Sequence, residues 1–236
     1  MIKDYVAFDI ETTGLDVEND SIIEIGALKV INGKVCDRFM EFLKPQQPIT
    51  PLITSITGIT NEMVADARDT KDVIGDFVSF CKDYVLVGHN IMFDFKFTKR
   101  YASELGISFD MMGIDTLRIA RKVHQSLESK SLGALCEYYK ITNQAAHRAY
   151  HDALATAKIY QILAHDFEAT EPKLFIPEQL QYRPKKVQCC TAKQVDYLQV
   201  LCAHHHIKVP ENSEQLTRSE MSKLIDNIIT TYGRMF

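Results

Sequence analysis

The stretch YVAFDIETTGL, from Tyr5 to Leu15, begins as the nearly unbroken apolar run of a strand buried on both faces. Asp9 and Glu11 interrupt it. Side chains two residues apart on a strand share a face, so two like charges are expected side by side where the apolar run should continue. Two further β-rich segments follow, SIIEIGALKVING and KVCDRFMEFLKP, on either side of the pair Asn32-Gly33. That pair is a strong hairpin signal, so the first three strands are expected to form an antiparallel meander.

Beyond them a Pro/Thr-rich loop, QQPITPLITSITGITNEMV, leads into a short helix. The spacing of Val73, Ile74, Phe77, Val78 and Cys81 predicts a helix. A short buried strand, YVLVGH, comes next, and Asn90 is placed to cap a helix running through MFDFKFTKRYASELG. DTLRIARKVH, SLGALCEYYKI and YHDALATAKIYQILAHDFE all have helical periodicity. Strands, then a helix, a strand and more helices indicate an α/β domain with a mixed sheet over residues 1–167. Residues 168–188 carry three prolines and are expected to be a linker. Residues 189–236 resume with two helical patterns, Val195/Leu198/Leu201/Cys202 and Met221/Leu224/Ile225/Ile228. A unit this small is marginal alone, so docking on the main domain or on a partner is expected.

Composition changes this picture little. The 236 residues are 46% hydrophobic and 25% charged, as in an ordinary globular protein, and the net charge of -4 argues against a broadly basic nucleic-acid binder. No apolar run reaches membrane-spanning length, and the start of the chain lacks the pattern of a secretory signal. Six scattered cysteines suggest reduced thiols and a cytoplasmic protein without membrane association. The tail's Cys189, Cys190, Cys202 and His204–His206 invite a zinc reading. Adjacent cysteines do not give the usual ligand gap, and Cys202 lies on an apolar helix face.

The chemistry concentrates in acids. Asp94 lies just inside the helix that follows YVLVGH, and Asp152 lies one turn into another helix, five residues after His147. Strand ends and helix N-termini of α/β sheets converge on one edge, where ligands generally bind. Carboxylates gathered there repel, and the natural relief is a divalent cation with hard oxygen ligands, Mg²⁺ or Mn²⁺. Two such ions about 4 Å apart clamp an in-line phosphodiester hydrolysis, and a histidine base completes the set. His147 is a better base than His151, which directly precedes Asp152 and faces elsewhere. Glu24, unusual in an apolar strand, either faces the cleft or does not; the pattern leaves both open.

In order, FDIETTGL, GHNIMFDFKF and HRAYHDALATA resemble the motifs of the DnaQ-like (DEDDh) 3′→5′ exonucleases over about residues 4 to 165. The proofreading epsilon subunit and PolC exonuclease domain of bacterial DNA polymerase III belong to that family. The resemblance implies a ribonuclease H-like mixed β-sheet flanked by helices. It implies that Asp9, Glu11 and Asp152 hold a first ion, that Asp9 bridges to a second, and that Asp94 completes the acidic set. His147 becomes the general base of a His-x4-Asp motif. Thr12, Thr13 and Gly14 are implied to meet the 3′-terminal nucleotide through their backbone, Leu15 to wedge against its base, and Asn90 to lie beside the strand. The expected activity is removal of nucleoside 5′-monophosphates from single-stranded DNA 3′ ends, in proofreading or repair. Two rivals stand beside it: a 3′→5′ exoribonuclease, and a non-catalytic adaptor for a polymerase or sliding clamp.

Three further expectations concern partners. Lys96, Lys99, Arg100, Arg118, Arg121 and Lys122 are candidates to track a phosphate backbone, or simply a solvated face. Phe93 and Phe95 are expected in the core. Gln179-Leu180 faintly resembles a sliding-clamp peptide, without its final pair of large apolar residues.

Overall fold

A computed structural model describes residues 1–143, 146–184 and 189–235, with the side chains of Gln215 and Ser219 outside the description. The chain divides into two units, Met1–Pro184 and Lys185–Phe236. In the first, β1 (Tyr5–Thr12), β2 (Ile22–Ile31) and β3 (Lys34–Phe42) form the expected meander. Asn32 and Gly33 take positive φ at its tight turn. The Pro/Thr-rich stretch holds two short helices, α1 (Pro51–Thr57) and α2 (Asn61–Val64), capped by the side chains of Thr50 and Thr60. Then come α3 (Thr70–Cys81), β4 (Val85–Gly88), α4 (Met92–Glu104), β5 (Met112–Asp115), α5 (Thr116–Val123), α6 (Leu132–Tyr138) and α7 (Ala149–Phe167). A two-residue strand, β6 (Glu178–Gln179), closes the far edge.

The sheet order is β3-β2-β1-β4-β5-β6. β1 pairs antiparallel with β2 and parallel with β4, so it lies at the centre of a mixed sheet. Two apolar layers cover its faces. Val6, Phe8 and Ile10 pack with Phe77 of α3 and Phe95 and Phe97 of α4. Tyr5 and Ala7 pack with Ile119 of α5, Leu135 of α6 and Tyr160 of α7. Alternation therefore puts Asp9 and Glu11 on the α7 side of the sheet. Phe95 is fully buried and Phe93 packs against the same core, as expected.

One strand had no counterpart in the expected pattern, and one expectation needs correction. The strand β5 is only four residues long and begins at an exposed Met112, too short and mixed to show an alternation in sequence. Residues 168–184, expected as part of a linker, belong instead to the first unit. Phe175 is buried against the α7 layer, β6 pairs with β5, and Leu180 sinks into the α3/α4 layer. Prolines here mark bends in a packed segment rather than a free tether. The rest of the expected linker, residues 185–188, lies outside the described residues.

The second unit pairs α8 (Ala192–His204) with α9 (Arg218–Tyr232). Both start with a capping box, from Thr191 with Gln194 and from Thr217 with Glu220. Leu198, Leu201 and Cys202 of α8 meet Met221, Ile225 and Ile228 of α9, the faces expected from periodicity. Cys202 is thus core, and Cys190 donates to the carbonyls of Ser213 and Glu214.

Candidate active site

β1 pairs with β4 only through Ala7, which leaves its last residues bonded on one side alone. Asp94, in the first turn of α4, fills the gap: its Oδ1 accepts the N–H of Ile10 at 3.0 Å. This carboxylate is only 3% exposed, between Asp9 and Glu11 along the strand. On the other side, α7 descends onto β2 and brings Asp152 in its first turn. Carboxylate oxygens of Glu11 and Asp152 and a ring nitrogen of His147 lie within 4.8 Å of one another. No other such group of three metal-ligating side chains occurs among the described residues.

His147 sits at positive φ just before α7, exposed, and its backbone N–H donates to Asp152 Oδ2 at 2.8 Å. His151 is half-buried inside the first turn of α7 and stacks edge-on with Tyr150. The turn at His147 thus aims its imidazole at the acids while its amide orients the last of them.

The electrostatics follow from crowding. Burial, then the charges of Asp94, Asp152, Glu11 and Glu24, drive the Asp9 carboxyl well above its usual range. Glu11 is pushed up to about 8 by burial and by Asp152 and Glu24, with Arg148 opposing. Asp94 is also raised well above its usual range by burial, and Asp152 is raised by burial against hydrogen bonds from Asn143 and His147. Carboxyls that resist ionisation in a shared cleft fit a site completed by divalent cations, and an all-oxygen donor set suits Mg²⁺ or Mn²⁺.

Four residues without a role in the sequence reading build this geometry. Gly26 faces Asp9 in the β1–β2 register, and a Cβ there would lie 1.9 Å from Tyr150 N and 2.2 Å from Ala149 C. Only glycine lets α7 come this close to the sheet. Glu24, opposite Glu11, is buried and pairs with Arg148 at 2.9 Å. Its second oxygen accepts the N–H of Ala149 at 3.1 Å, so it also caps α7 from another strand. Glu24 therefore does face the cleft, but as an anchor for α7. Asn143 donates to Asp152 Oδ1 at 2.7 Å. Glu24 was visible as an acid in an apolar strand. Gly26 and Arg148 gave no signal because their partners are distant in sequence, and Asn143 gave none because a lone Asn before a helix has no distinctive pattern.

Of the residues expected to meet substrate, Thr13, Gly14 and Leu15 lie in the loop between β1 and β2, Thr12 ends β1, and Asn90 lies between β4 and α4. A register shift between Glu11 and Thr12 bends the strand into this loop. Thr12 Oγ1 donates to Gly14 O, Thr13 Oγ1 to Asp20 Oδ1, and Leu15 stands 83% exposed. Asn90 takes positive φ and donates its N–H to Asp115 Oδ1. It does not cap α4, whose N-cap is Ile91 with no side-chain bond. Half of the candidate basic track is used internally. Lys99 pairs with Asp110, Arg118 with Glu178, and buried Arg100 with backbone carbonyls, leaving Lys96 half-buried and Arg121 and Lys122 exposed. Leu180, the apolar residue of the clamp-like peptide, is 9% exposed and committed to this protein's own core.

Four carboxylates and an imidazole thus gather at one edge of a mixed α/β sheet, a donor set that suits divalent cations. The exonuclease family model, RNase_T, matches residues 6–160. The PolC-type DNA polymerase III of Caldanaerobacter subterraneus is 45% identical over 157 residues, covering 66% of this chain and 11% of that protein. The PolC-type DNA polymerase III of Halalkalibacterium halodurans is 31% identical over 244 residues, covering 98% of this chain and 17% of that protein. Escherichia coli exonuclease I, solved with a dT13 oligonucleotide, has a TM-score of 0.64 at 19% identity, covering 74% of this chain and 43% of that one. The chain belongs to the exonuclease family, with a ribonuclease H-like fold. It spans between a tenth and a fifth of the length of these polymerases. Among the described residues no helix is long and apolar enough to cross a membrane.

Proposed function

We propose that this chain is a 3′→5′ exonuclease that trims single-stranded DNA ends to nucleoside 5′-monophosphates, serving proofreading or repair beside a cytoplasmic DNA polymerase. The observation that carries the reading is the gathering of Asp9, Glu11, Asp94, Asp152 and His147 at one sheet edge. Asp9, Glu11 and Asp152 would hold one Mg²⁺ or Mn²⁺ ion, with Asp9 and Asp94 serving a second. When bound, these ions supply charge for the attacking and leaving oxygens of an in-line displacement. His147, exposed at the rim with its ring against Glu11 and Asp152, takes the proton of the attacking water. Thr12, Thr13 and Gly14 hold the terminal nucleotide by their backbone, Leu15 packs on its base, and Asn90 lies along the strand. The net charge of -4 disfavours contact with nucleic acid over the whole surface, which supports contact confined to a cleft.

The test is degradation of a 5′-labelled single strand with Mg²⁺, run beside an RNA of the same sequence. Stepwise shortening from the 3′ end is expected, faster on DNA, and Asp9→Ala should abolish it. Faster cleavage of RNA would assign the activity to the exoribonuclease class, since the 2′-hydroxyl is the group that separates the two polymers. No metal-dependent degradation of either would leave the adaptor reading.

A further inference from the structure

We propose that residues 176–184, beyond the residues the family model matches, form a strap that positions the terminal-nucleotide loop, with Tyr182 as its positioning residue. The inference rests on the exonuclease reading and deepens it at the substrate side. The loop Thr13–Ser21 has internal bonds: Thr13 N–H donates to Ser21 O, and Asp20 Oδ2 accepts the N–H of Asp16 at 2.8 Å. Gly14 lies against the same carboxylate, where a Cβ would be 2.4 Å from Asp20 Oδ2. These bonds shape the loop without fixing it to the body of the protein.

Val17 packs on the α3/α4 layer and Ser21 Oγ accepts the N–H of Gln46 at 3.3 Å, and two further groups grip the Glu18–Asp20 side of the loop. Arg100, on α4, donates to Glu18 O at 2.9 Å and to Asp20 O at 3.2 Å. Tyr182 donates its phenol to Glu18 Oε1 at 2.8 Å. Tyr182 is in turn held by the strap. Leu180 N–H donates to Met111 O at 2.9 Å, and Glu178–Gln179 pair with Met112–Gly113. The Leu180 side chain occupies the space over Gly113, where a Cβ would approach within 2.7 Å. Arg118 and Glu178 close an ion pair along the same strip. A line of contacts therefore runs from the sheet edge at β5, through Leu180 and Tyr182, to Glu18 and the loop that exposes Leu15. In the exonuclease reading Leu15 packs on the terminal base, so a brace on this loop is a brace on that contact. The family model ends at residue 160, so the Tyr182 contact comes from outside the residues it matches, while Arg100 lies within them.

The experiment uses the full chain with Tyr182→Phe, Glu18→Ala and the double variant. Steady-state kinetics are measured with Mg²⁺ on two 5′-labelled DNA strands. One ends in an ordinary thymidine; the other ends in a deoxyribose without a base. On the ordinary end, each single variant is expected to raise KM by about three- to tenfold, the effect of losing one part-exposed hydrogen bond, with kcat within about twofold. The double variant should be no worse than the weaker single, because both remove the same bond. On the baseless end the variants should match the parent, since Leu15 has nothing there to grip. Equal KM for parent and Tyr182→Phe on the ordinary end overturns the proposal, as does an equal effect on both ends or a fall in kcat alone. A parent protein inactive on both strands overturns the exonuclease reading instead.

Discussion

Replacing Gly26 by alanine tests whether the approach of α7 to the sheet sets the catalytic geometry. The added methyl would lie 1.9 Å from Tyr150 N, 2.2 Å from Ala149 C and 2.4 Å from Tyr150 Cα. All three are main-chain atoms, so no rotamer change relieves the clash. An ordinary contact is about 3.5 Å, so α7 must retreat by roughly 1.5 Å at its first turn. That turn carries Asp152 and follows directly on His147, whose ligand atoms now lie within 4.8 Å of Glu11. The retreat also pulls Ala149 N–H from Glu24, a bond of 3.1 Å. Overpacking of this kind costs about 1–3 kcal/mol, equivalent to a melting point lower by roughly 2–10 °C for a unit of this size. A displacement on the order of 1 Å at reacting groups costs about 100-fold in rate. Gly26→Ala is therefore expected to lose at least about 100-fold in kcat on single-stranded DNA while still folding. Circular dichroism melting and single-turnover cleavage measure the two effects separately. Full activity with an unchanged melting point would refute the argument that this glycine sets the seat of α7.

Two other outcomes follow from the same cleft. His147→Ala should lower turnover by about 100- to 10,000-fold while the affinity for Mn²⁺ falls far less, because the carboxylates remain; equal losses in both would remove the base role. Glu11, pushed up to about 8, holds its proton more tightly folded than unfolded, as do the raised Asp9, Asp94 and Asp152. That contribution to stability is complete below the ordinary carboxylate range and is lost as pH rises toward 8. With EDTA, the melting point of the first unit should fall between pH 5 and pH 8, and Mn²⁺ should restore it more at pH 8 than at pH 5. Equal stabilisation by Mn²⁺ at both pH values would contradict this account.

The linear pattern determined a good deal. The meander around Asn32-Gly33, α3, α4, α7 and both tail helices follow from local periodicity, turns and capping, which act between near neighbours. The acids Asp9, Glu11, Asp94 and Asp152 were also visible, because a charge placed in an apolar strand or at a helix start contradicts the local pattern. Tertiary structure decided what such patterns do not encode. A two-residue β6 exists only because β5 offers an edge, and the prolines around it hid its packing. Gly26 matters only because α7, more than a hundred residues away, rests on it. Glu24 became an anchor once Arg148 and Ala149 N–H reached it. Arg100 left the phosphate track because the loop carbonyls of Glu18 and Asp20 claimed it. Local sequence sets which groups are present and which segments are regular. Long-range packing sets which groups meet, because a contact between distant residues leaves no periodicity in either segment.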